Sequence, residues 1–383
     1  MKVLYGARIF DGERLRGDGA LVVEGASIQA LTRLEDRPRG GKQVDLGGGI
    51  LSPGFIDWQI NGGGGVLFNA TPTVEGIAAI AAAHRRAGVT AFLPTVVTDA
   101  PRVLDAALAA AREARERVPG GLGIHVEGPF IDPKRKGVHP PEFIRRMLKE
   151  DADALMAARA GVIAVTLAPA SVSLDLIARL AKAGIVVSLG HSDASAEEAI
   201  AVFDAGASAV THLYNAMSQL SSRAPGVVGA TLADPRIICG LIADGEHAHP
   251  LAYRAALAAK GPRGVALVSD AMPPAAGGPD VFELHGRRMI RVGNKLTAED
   301  GTLAGAAITM RDAVDYVVNE LKVPLVDALM MATLTPARLL RVDDRIGQLK
   351  PGHRADLVHL TDDLEVAEVW TGGRGLGELE AAM

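Results

Sequence analysis

Residues 183–215 read AGIVVSLGHSDASAEEAIAVFDAGASAVTHLYN and contain one complete strand–helix–strand unit. The apolar run Ile185–Leu189 predicts a buried parallel strand, and Ala196–Ala205 predicts a helix. Ala205-Gly206 suits the C-terminal cap of that helix, just before a second apolar run at Ala209–His212. Each of the two predicted strands leads into a histidine.

The same alternation extends over residues 51–345. Eight apolar runs predict buried strands: Gly54–Ile60, Thr90–Val97, Gly123–Val126, Val162–Leu167, Ile185–Leu189, Ala209–His212, Ile237–Ile242 and Val265–Val268. Helix-like segments separate most of them, and eight such units in about 290 residues fit a (β/α)8 TIM barrel. A doubly wound sheet is the alternative, but the Gly-rich strand–turn–helix fingerprint of dinucleotide-binding proteins is missing.

The two ends of the chain differ from its middle. Residues 1–50 and residues 346–383 contain short alternating or clustered apolar runs separated by Gly- and Asp-rich turns. This pattern is typical of short strands. We therefore expect both termini to meet in one small β domain beside a barrel of residues 51–345. Edge strands that cover a larger body would give a similar pattern.

Composition excludes several classes of protein. The 383 residues include 40 Lys+Arg and 45 Asp+Glu, a formal net charge of −5. This balance argues against a nucleic-acid binder and means that local cations must hold any anionic substrate. One cysteine, Cys239, excludes an internal disulfide and a cysteine-based metal cluster. With no signal-like segment and no apolar run near ~20 residues, we expect a cytoplasmic protein without a membrane span.

Four predicted strands end in side chains that could hold or assist a metal ion. Glu127, His191, His212 and Asp270 follow the third, fifth, sixth and eighth strands. A single histidine at such a place is more often structural, and a single aspartate more often caps a helix. Together, however, one carboxylate and two imidazoles suit Zn²⁺ or Fe²⁺, and a further aspartate can move a proton. The combination favours a metal-dependent hydrolase.

The first predicted strand carries neutral amides where barrel metallohydrolases often have His-x-His. Gln59 and Asn61 have the i, i+2 spacing that places both side chains on one face of a strand. Amides are weak ligands for a transition metal, so a second tightly bound ion is not expected. We expect both amides to hydrogen-bond a metal-bound water or a neighbouring ligand.

Five motifs are similar, in order and spacing, to a known family. They are PGFID (53–57), HVEGPF (125–130), GHSDA (190–194), THLYNAM (211–217) and SDA (269–271). They resemble the N-acetylglucosamine-6-phosphate deacetylases of the amidohydrolase superfamily. The resemblance implies an α/β fold, a TIM barrel with a small β-sandwich domain formed by both chain termini. It also implies Glu127, His191 and His212 as metal ligands and Asp270 as the acid/base.

The resemblance further implies a cofactor, substrate contacts and a partner. It implies one divalent metal ion per subunit, with Zn²⁺ as the first choice and Fe, Co or Mn as alternatives. Arg223 and His247 would bind a phosphate across the interface of a homodimer, and His139 could bind the developing oxyanion. The other implied substrate contacts are Val138, Asn215, Ala216, Leu303, Ala304 and Gly305. Residues 283–300 match no role.

The activity implied by the resemblance is the hydrolysis of N-acetyl-D-glucosamine 6-phosphate to D-glucosamine 6-phosphate and acetate, in amino-sugar catabolism and cell-wall recycling. Three alternatives remain. The galactosamine epimer is a close one, because no motif clearly recognises the 4-hydroxyl of the sugar. Hydrolysis of cyclic amides is disfavoured by the missing His-x-His. A metal-free barrel with a binding or regulatory role would be expected to lack one of the four polar residues at the strand ends.

Overall fold

The computed structural model describes residues 1–381 of the chain. Eight parallel strands form its central sheet, in chain order from one edge to the other. They are Phe55–Ile60, Val89–Val97, Gly123–Glu127, Val162–Leu167, Val186–Leu189, Ala209–Val210, Ile238–Ile242 and Val265–Val268. A parallel bridge between Ile60 and Ala271, with the Asn61 N–H donating to the Ala271 carbonyl at 2.9 Å, joins the first strand to the last. The predicted (β/α)8 barrel is confirmed.

Helices surround this sheet and bury its outer face. Every residue of the first two barrel strands is buried, as expected for strands covered on both sides. The α-helices are Val74–Arg85, Pro101–Arg117, Lys149–Ala157, Leu174–Lys182, Ala196–Asp204, Gly226–Ala233, Pro250–Lys260, Met310–Asn319, Leu325–Ala332, Leu334–Leu339 and Leu376–Glu380. Within residues 1–381 none of them combines the length and the apolar character that a bilayer crossing requires.

Two details depart from the sequence pattern. The sixth strand ends at Val210 instead of His212, because His212 has a φ of +32°, outside the extended region. The apolar stretch 324–340 forms two helices, which meet at Thr333. A continuous helix would place Pro336 in its interior, where the ring would clash with the preceding turn and the missing N–H would leave a carbonyl unpaired. The break places Pro336 in a first turn instead.

Strands from both termini share a sheet. The strand Ile50–Pro53 pairs with Leu357–Leu360 on one side and with Arg8–Phe10 on the other. Leu15–Arg16, Val366–Thr371 and Arg374–Gly375 complete this six-stranded sheet, and a second sheet contains Lys2–Tyr5, Gly19–Glu24, Ser27–Arg33 and Lys42–Asp45. Side chains from both sheets pack into one core. The strand 50–53 crosses the expected boundary at residue 50, and the division into 1–50, 346–383 and 51–345 stays a prediction.

A three-stranded antiparallel sheet follows the last barrel strand. It consists of Val281–Leu284, Arg287–Val292 and Lys295–Ala298 and includes most of residues 283–300, which match no role in the sequence analysis. Leu284, Met289 and Leu296 pack in one apolar cluster with Val97 and Met272, next to the ends of barrel strands. The chain that leaves this sheet, residues 301–305, therefore lies at the carboxyl-terminal end of the barrel.

Candidate active site

The four polar residues predicted at strand ends meet at one end of the barrel. Glu127 is the last residue of the third strand, and His191, His212 and Asp270 each lie two residues beyond the fifth, sixth and eighth strands. Their exposed fractions are 3%, 5%, 5% and 7%. All four line a cavity of about 510 Å³. The carboxyl ends of barrel strands are where TIM-barrel enzymes carry their active sites.

Three ligand atoms converge within this cavity. Glu127 Oε1 lies 3.2 Å from His191 Nε2 and 3.1 Å from His212 Nε2, and the two imidazole nitrogens are 3.1 Å apart. Tetrahedral zinc ligands at ~2.0–2.1 Å from the ion lie about 3.4 Å from each other, so the triangle has the right size for one ion. His191 Nδ1 is 2.8 Å from the Arg135 carbonyl, which fixes its proton there and leaves the Nε2 lone pair for a metal. These residues fit a divalent cation.

A second imidazole ring lies beside the triangle. His139 offers a nitrogen within 4.8 Å of ligand atoms on Glu127 and His191. Its Nδ1 is 2.8 Å from the Thr98 hydroxyl, and burial holds the pKa of the ring well below its usual value. His139 is therefore neutral. The position of His212 Nε2, 3.1 Å from both Glu127 Oε1 and His191 Nε2, favours His212 as the third ligand.

Asp270 lies next to the triangle and is held by two amides. Gln59 Nε2 donates to Asp270 Oδ1 at 3.0 Å and to Glu127 Oε2 at 3.2 Å, and Asn61 Nδ2 donates to Asp270 Oδ1 at 2.7 Å. Burial, and then the charge of Glu127, raise the pKa of Asp270 to about 7. Burial would also raise the pKa of Glu127, but the adjoining imidazoles of His191 and His212 lower it well below its usual value. The two carboxyl groups thus have widely separated pKa values.

Most of the expected substrate contacts line the same cavity. They are Val138, His139, Asn215, Ala216, His247, Leu303 and Gly305. Ala304 is fully buried in the apolar cluster behind this wall. Arg223 is exposed and lies outside the cavity of its own chain. Two cations that the sequence reasoning did not single out, Lys134 and Arg135, also line the cavity, in the segment between the third barrel strand and the next α-helix. Arg135 is paired with Asp193 at 2.7 Å.

Comparison with known proteins agrees with this geometry. The model of the Amidohydrolase family matches residues 50–376. The chain belongs to the amidohydrolase family. It is 43% identical over 338 residues to the N-acetylgalactosamine-6-phosphate deacetylase of Shewanella sp. (strain ANA-3), covering 88% of this chain and 86% of that protein. It is 36% identical over 362 residues to the N-acetylglucosamine-6-phosphate deacetylase of Haemophilus influenzae, covering 93% and 94% of the two chains.

A solved structure extends the comparison to the whole fold. The N-acetylglucosamine-6-phosphate deacetylase of Pasteurella multocida superimposes with a TM-score of 0.95, at 35% identity, over 98% of this chain and 99% of that one. The family resemblance inferred from the five motifs is therefore confirmed. The terminal sheets of this amidohydrolase lie within the superimposed length.

Backbone strain coincides with the polar residues of this amidohydrolase. The φ angles of His191, His212 and Asp270 are +47°, +32° and +47°, in the left-handed region that residues with a Cβ rarely adopt. Each such residue costs of the order of 1–3 kcal/mol. Neighbouring backbone holds the turns in place: the His191 carbonyl accepts from the Asp132 N–H and the Asp270 carbonyl accepts from the Ala306 N–H, both at 2.9 Å. The fold thus maintains the unusual turns that direct these side chains to one point.

A chain of buried hydroxyl groups lies below the site. His125 Nε2 is 2.7 Å from Thr166 Oγ1, which is 2.6 Å from Thr211 Oγ1, which in turn is 2.6 Å from Ser188 Oγ. These residues belong to neighbouring barrel strands or, for Thr211, directly follow one. The sequence reasoning did not single out the three hydroxyls, although a hydroxyl residue within an otherwise apolar strand was a visible signal. This series of hydrogen bonds gives each of these buried polar groups a partner, directly below the residues that could bind the metal.

Proposed function

We propose that this amidohydrolase hydrolyses the acetamide of N-acetyl-D-glucosamine 6-phosphate and releases D-glucosamine 6-phosphate and acetate. The observation that carries the proposal is the triangle of Glu127, His191 and His212 beside Asp270, which Gln59 and Asn61 hold in place. Amide hydrolysis needs an activated water, a polarised carbonyl and a proton donor for the leaving amine. A cavity of about 510 Å³ with these groups on its wall has room for one sugar phosphate.

A divalent ion on Glu127, His191 and His212 would supply Lewis acidity; Zn²⁺ is the first choice, with Fe²⁺, Co²⁺ or Mn²⁺ as alternatives. Asp270 takes a proton from the attacking water and returns it to the departing nitrogen. Since Gln59 and Asn61 both donate to Oδ1, Oδ2 is the oxygen that exchanges this proton. Neutral His139 donates from Nε2 to the carbonyl oxygen when its Nδ1 accepts from the Thr98 hydroxyl.

The phosphate is held by His247 of one chain and Arg223 of a second copy, so the active form is a homodimer. The exposure of Arg223, and its position outside the cavity of its own chain, support a contact made with another copy. A planar guanidinium suits bidentate binding of a phosphate. Val138, Asn215, Ala216 and the 303–305 segment position the sugar. A cytoplasmic location completes the proposal and is supported by the single cysteine.

N-acetyl-D-galactosamine 6-phosphate is the second candidate substrate. The specific observation in its favour is the 43% identity to a deacetylase named for that sugar, against 36% to the Haemophilus deacetylase named for the gluco epimer. The two sugars differ only at the 4-hydroxyl. The ratio of kcat/KM for the two 6-phosphates therefore decides which substrate the cavity prefers.

Acetate release from each 6-phosphate tests the proposal. Protein loaded with a divalent metal should release acetate and free amine in equal amounts from at least one of them. Unphosphorylated N-acetylglucosamine should react with a much lower kcat/KM. A folded, metal-loaded protein that releases no acetate from either phosphate would overturn the proposed function.

A further inference from the structure

A buried carboxylate that the proposed reaction does not use lies directly behind His247. Asp244 is two residues beyond the seventh barrel strand, and its Oδ2 is 2.6 Å from His247 Nδ1. The Asp244 side chain has no exposed surface, and that of His247 is 5% exposed. The sequence reasoning did not single out Asp244. Its place behind a cavity-lining imidazole lets it influence the cavity through His247.

The loop fixes the orientation of this carboxylate. Asp244 Oδ1 accepts the backbone N–H groups of Glu246 and His247 at 2.8 and 2.9 Å. The Tyr253 hydroxyl lies 3.5 Å from the same oxygen. With Oδ1 engaged by backbone donors, Oδ2 faces the imidazole. The His247 ring is therefore oriented with Nδ1 on Asp244, and Nε2 is the nitrogen left for the cavity that the residue lines.

The surrounding charges favour a protonated ring. Burial opposes the charge on His247, but the hydrogen bond and charge of Asp244, followed by the charges of Asp270 and Glu246, raise the pKa of this imidazole above its usual value. In the same pair, hydrogen bonds and charge from His247 outweigh burial and lower the pKa of Asp244. Each of these three neighbouring groups is acidic, and the cations Lys134 and Arg135 line the same cavity. Both shifts favour the charged forms, an imidazolium of His247 facing the carboxylate of Asp244.

We propose that Asp244 is a positioning residue that keeps His247 protonated and aims its Nε2–H at the phosphate of the substrate. The proposal rests on the proposed function, because it assigns the anion that His247 meets. It is specific about chemistry: Asp244 never touches the substrate and acts only through the charge and orientation of His247. A cationic imidazole binds a phosphate more strongly than a neutral one, because a charge-assisted hydrogen bond is about twice as strong.

The informative variant is Asp244→Asn. An asparagine Oδ1 can still accept the two backbone N–H groups, so the loop is retained, whereas its Nδ2 can only donate to His247 Nδ1. The ring is then neutral, with its proton on Nε2. We expect KM for the 6-phosphate to rise about tenfold at pH near 7, with kcat within about twofold of the wild-type value. The kcat/KM for unphosphorylated N-acetylglucosamine should not change.

The pH dependence separates this role from a merely structural one. The ratio of the variant's KM to the wild-type KM should be largest between the lowered pKa of His247 in the variant and its raised pKa in the wild type. Above the wild-type value both rings are neutral. The wild-type ring then keeps its proton on Nδ1, toward Asp244, whereas the variant ring still donates from Nε2, so the ratio should fall to one or below. A damaged loop would instead raise KM at every pH.

Two further variants complete the test. In a His247→Gln background, adding Asp244→Asn should leave KM unchanged, because the group through which Asp244 acts is gone. Asp99 Oδ2 lies 3.6 Å from His285 Nδ1, and Asp99 does not line the cavity that holds His247. Asp99→Asn is therefore a matched control that should retain the wild-type KM. The inference is overturned if the wild type is active and Asp244→Asn keeps its KM, or if the effect persists without His247. An inactive wild type would contradict the proposed function itself.

Discussion

Replacing Asp270 by asparagine should stabilise the metal-free protein while removing most of its activity. Asp270 is buried, and burial together with the charge of Glu127 raises the pKa of its carboxyl from 3.8 to about 7. Gln59 and Asn61 both donate to Oδ1, and an asparagine Oδ1 can accept both bonds. The substitution therefore removes a buried charge without removing the hydrogen bonds that orient the side chain.

The size and the sign of the effect follow from this shift. A shift of about three pKa units corresponds to about 4 kcal/mol. Because the folded-state pKa is raised, the folded protein binds more protons than the unfolded chain between about pH 4 and about pH 7, so Asp270 lowers stability progressively as pH rises through that window. The Asp270→Asn variant lacks this contribution. Its free energy of unfolding should equal that of the wild type near pH 4 and should be higher by up to about 4 kcal/mol near pH 8.

Urea denaturation of chelator-treated proteins at about pH 5 and about pH 8 measures this difference. Asp363 is exposed, and Asp363→Asn should differ from the wild type by the same small amount at both pH values. A difference between Asp270→Asn and the wild type that does not grow with pH would refute the reasoning. With metal bound, the same variant should lose about 10²–10⁴-fold in kcat, because it can no longer move the proton.

Three other predictions concern the metal, the second copy and the support below the site. Glu127→Gln should reduce bound metal, measured by elemental analysis, from one ion per chain to almost none; full occupancy would exclude Glu127 as a ligand. Arg223→Ala should raise KM at unchanged kcat. At substrate concentrations well below that raised KM, mixing it with Asp270→Asn should increase activity through one intact site per mixed dimer, and no increase after subunit exchange would contradict the shared site. Thr211→Val should lower the free energy of unfolding by about 2 kcal/mol in denaturant titrations, whereas an unchanged value would mean that the hydroxyl chain contributes no stability.

The barrel and the four polar residues at its strand ends could be predicted from the sequence because both depend on local patterns. A buried parallel strand reads as an apolar run, and the residue that follows it lies at the active-site end of a barrel. His191 and His212 were found in this way. Their left-handed backbone was not, because the contacts that maintain it come from residues distant in sequence, such as the Asp132 N–H on the His191 carbonyl.

Polar groups that act through other side chains could not be predicted from the sequence either. Asp244 resembles an ordinary turn former in the sequence, and only its 2.6 Å contact with His247 shows a second use. Ser188 and Thr211 are isolated hydroxyl residues in or next to apolar strands, and their pairing depends on the register between the fifth strand and the sixth. Such partners become visible only when the strands are placed side by side.

Acetate release with and without the metal tests the central claim most directly. Protein purified with one divalent ion per chain, the same protein stripped by a chelator, and the stripped protein with the ion restored should be assayed with N-acetyl-D-glucosamine 6-phosphate and its galacto epimer. We predict one acetate for each free amine, loss of the activity on stripping, and recovery when the ion is returned. Undiminished hydrolysis by the stripped protein, or no hydrolysis of either sugar phosphate by the loaded one, would contradict it.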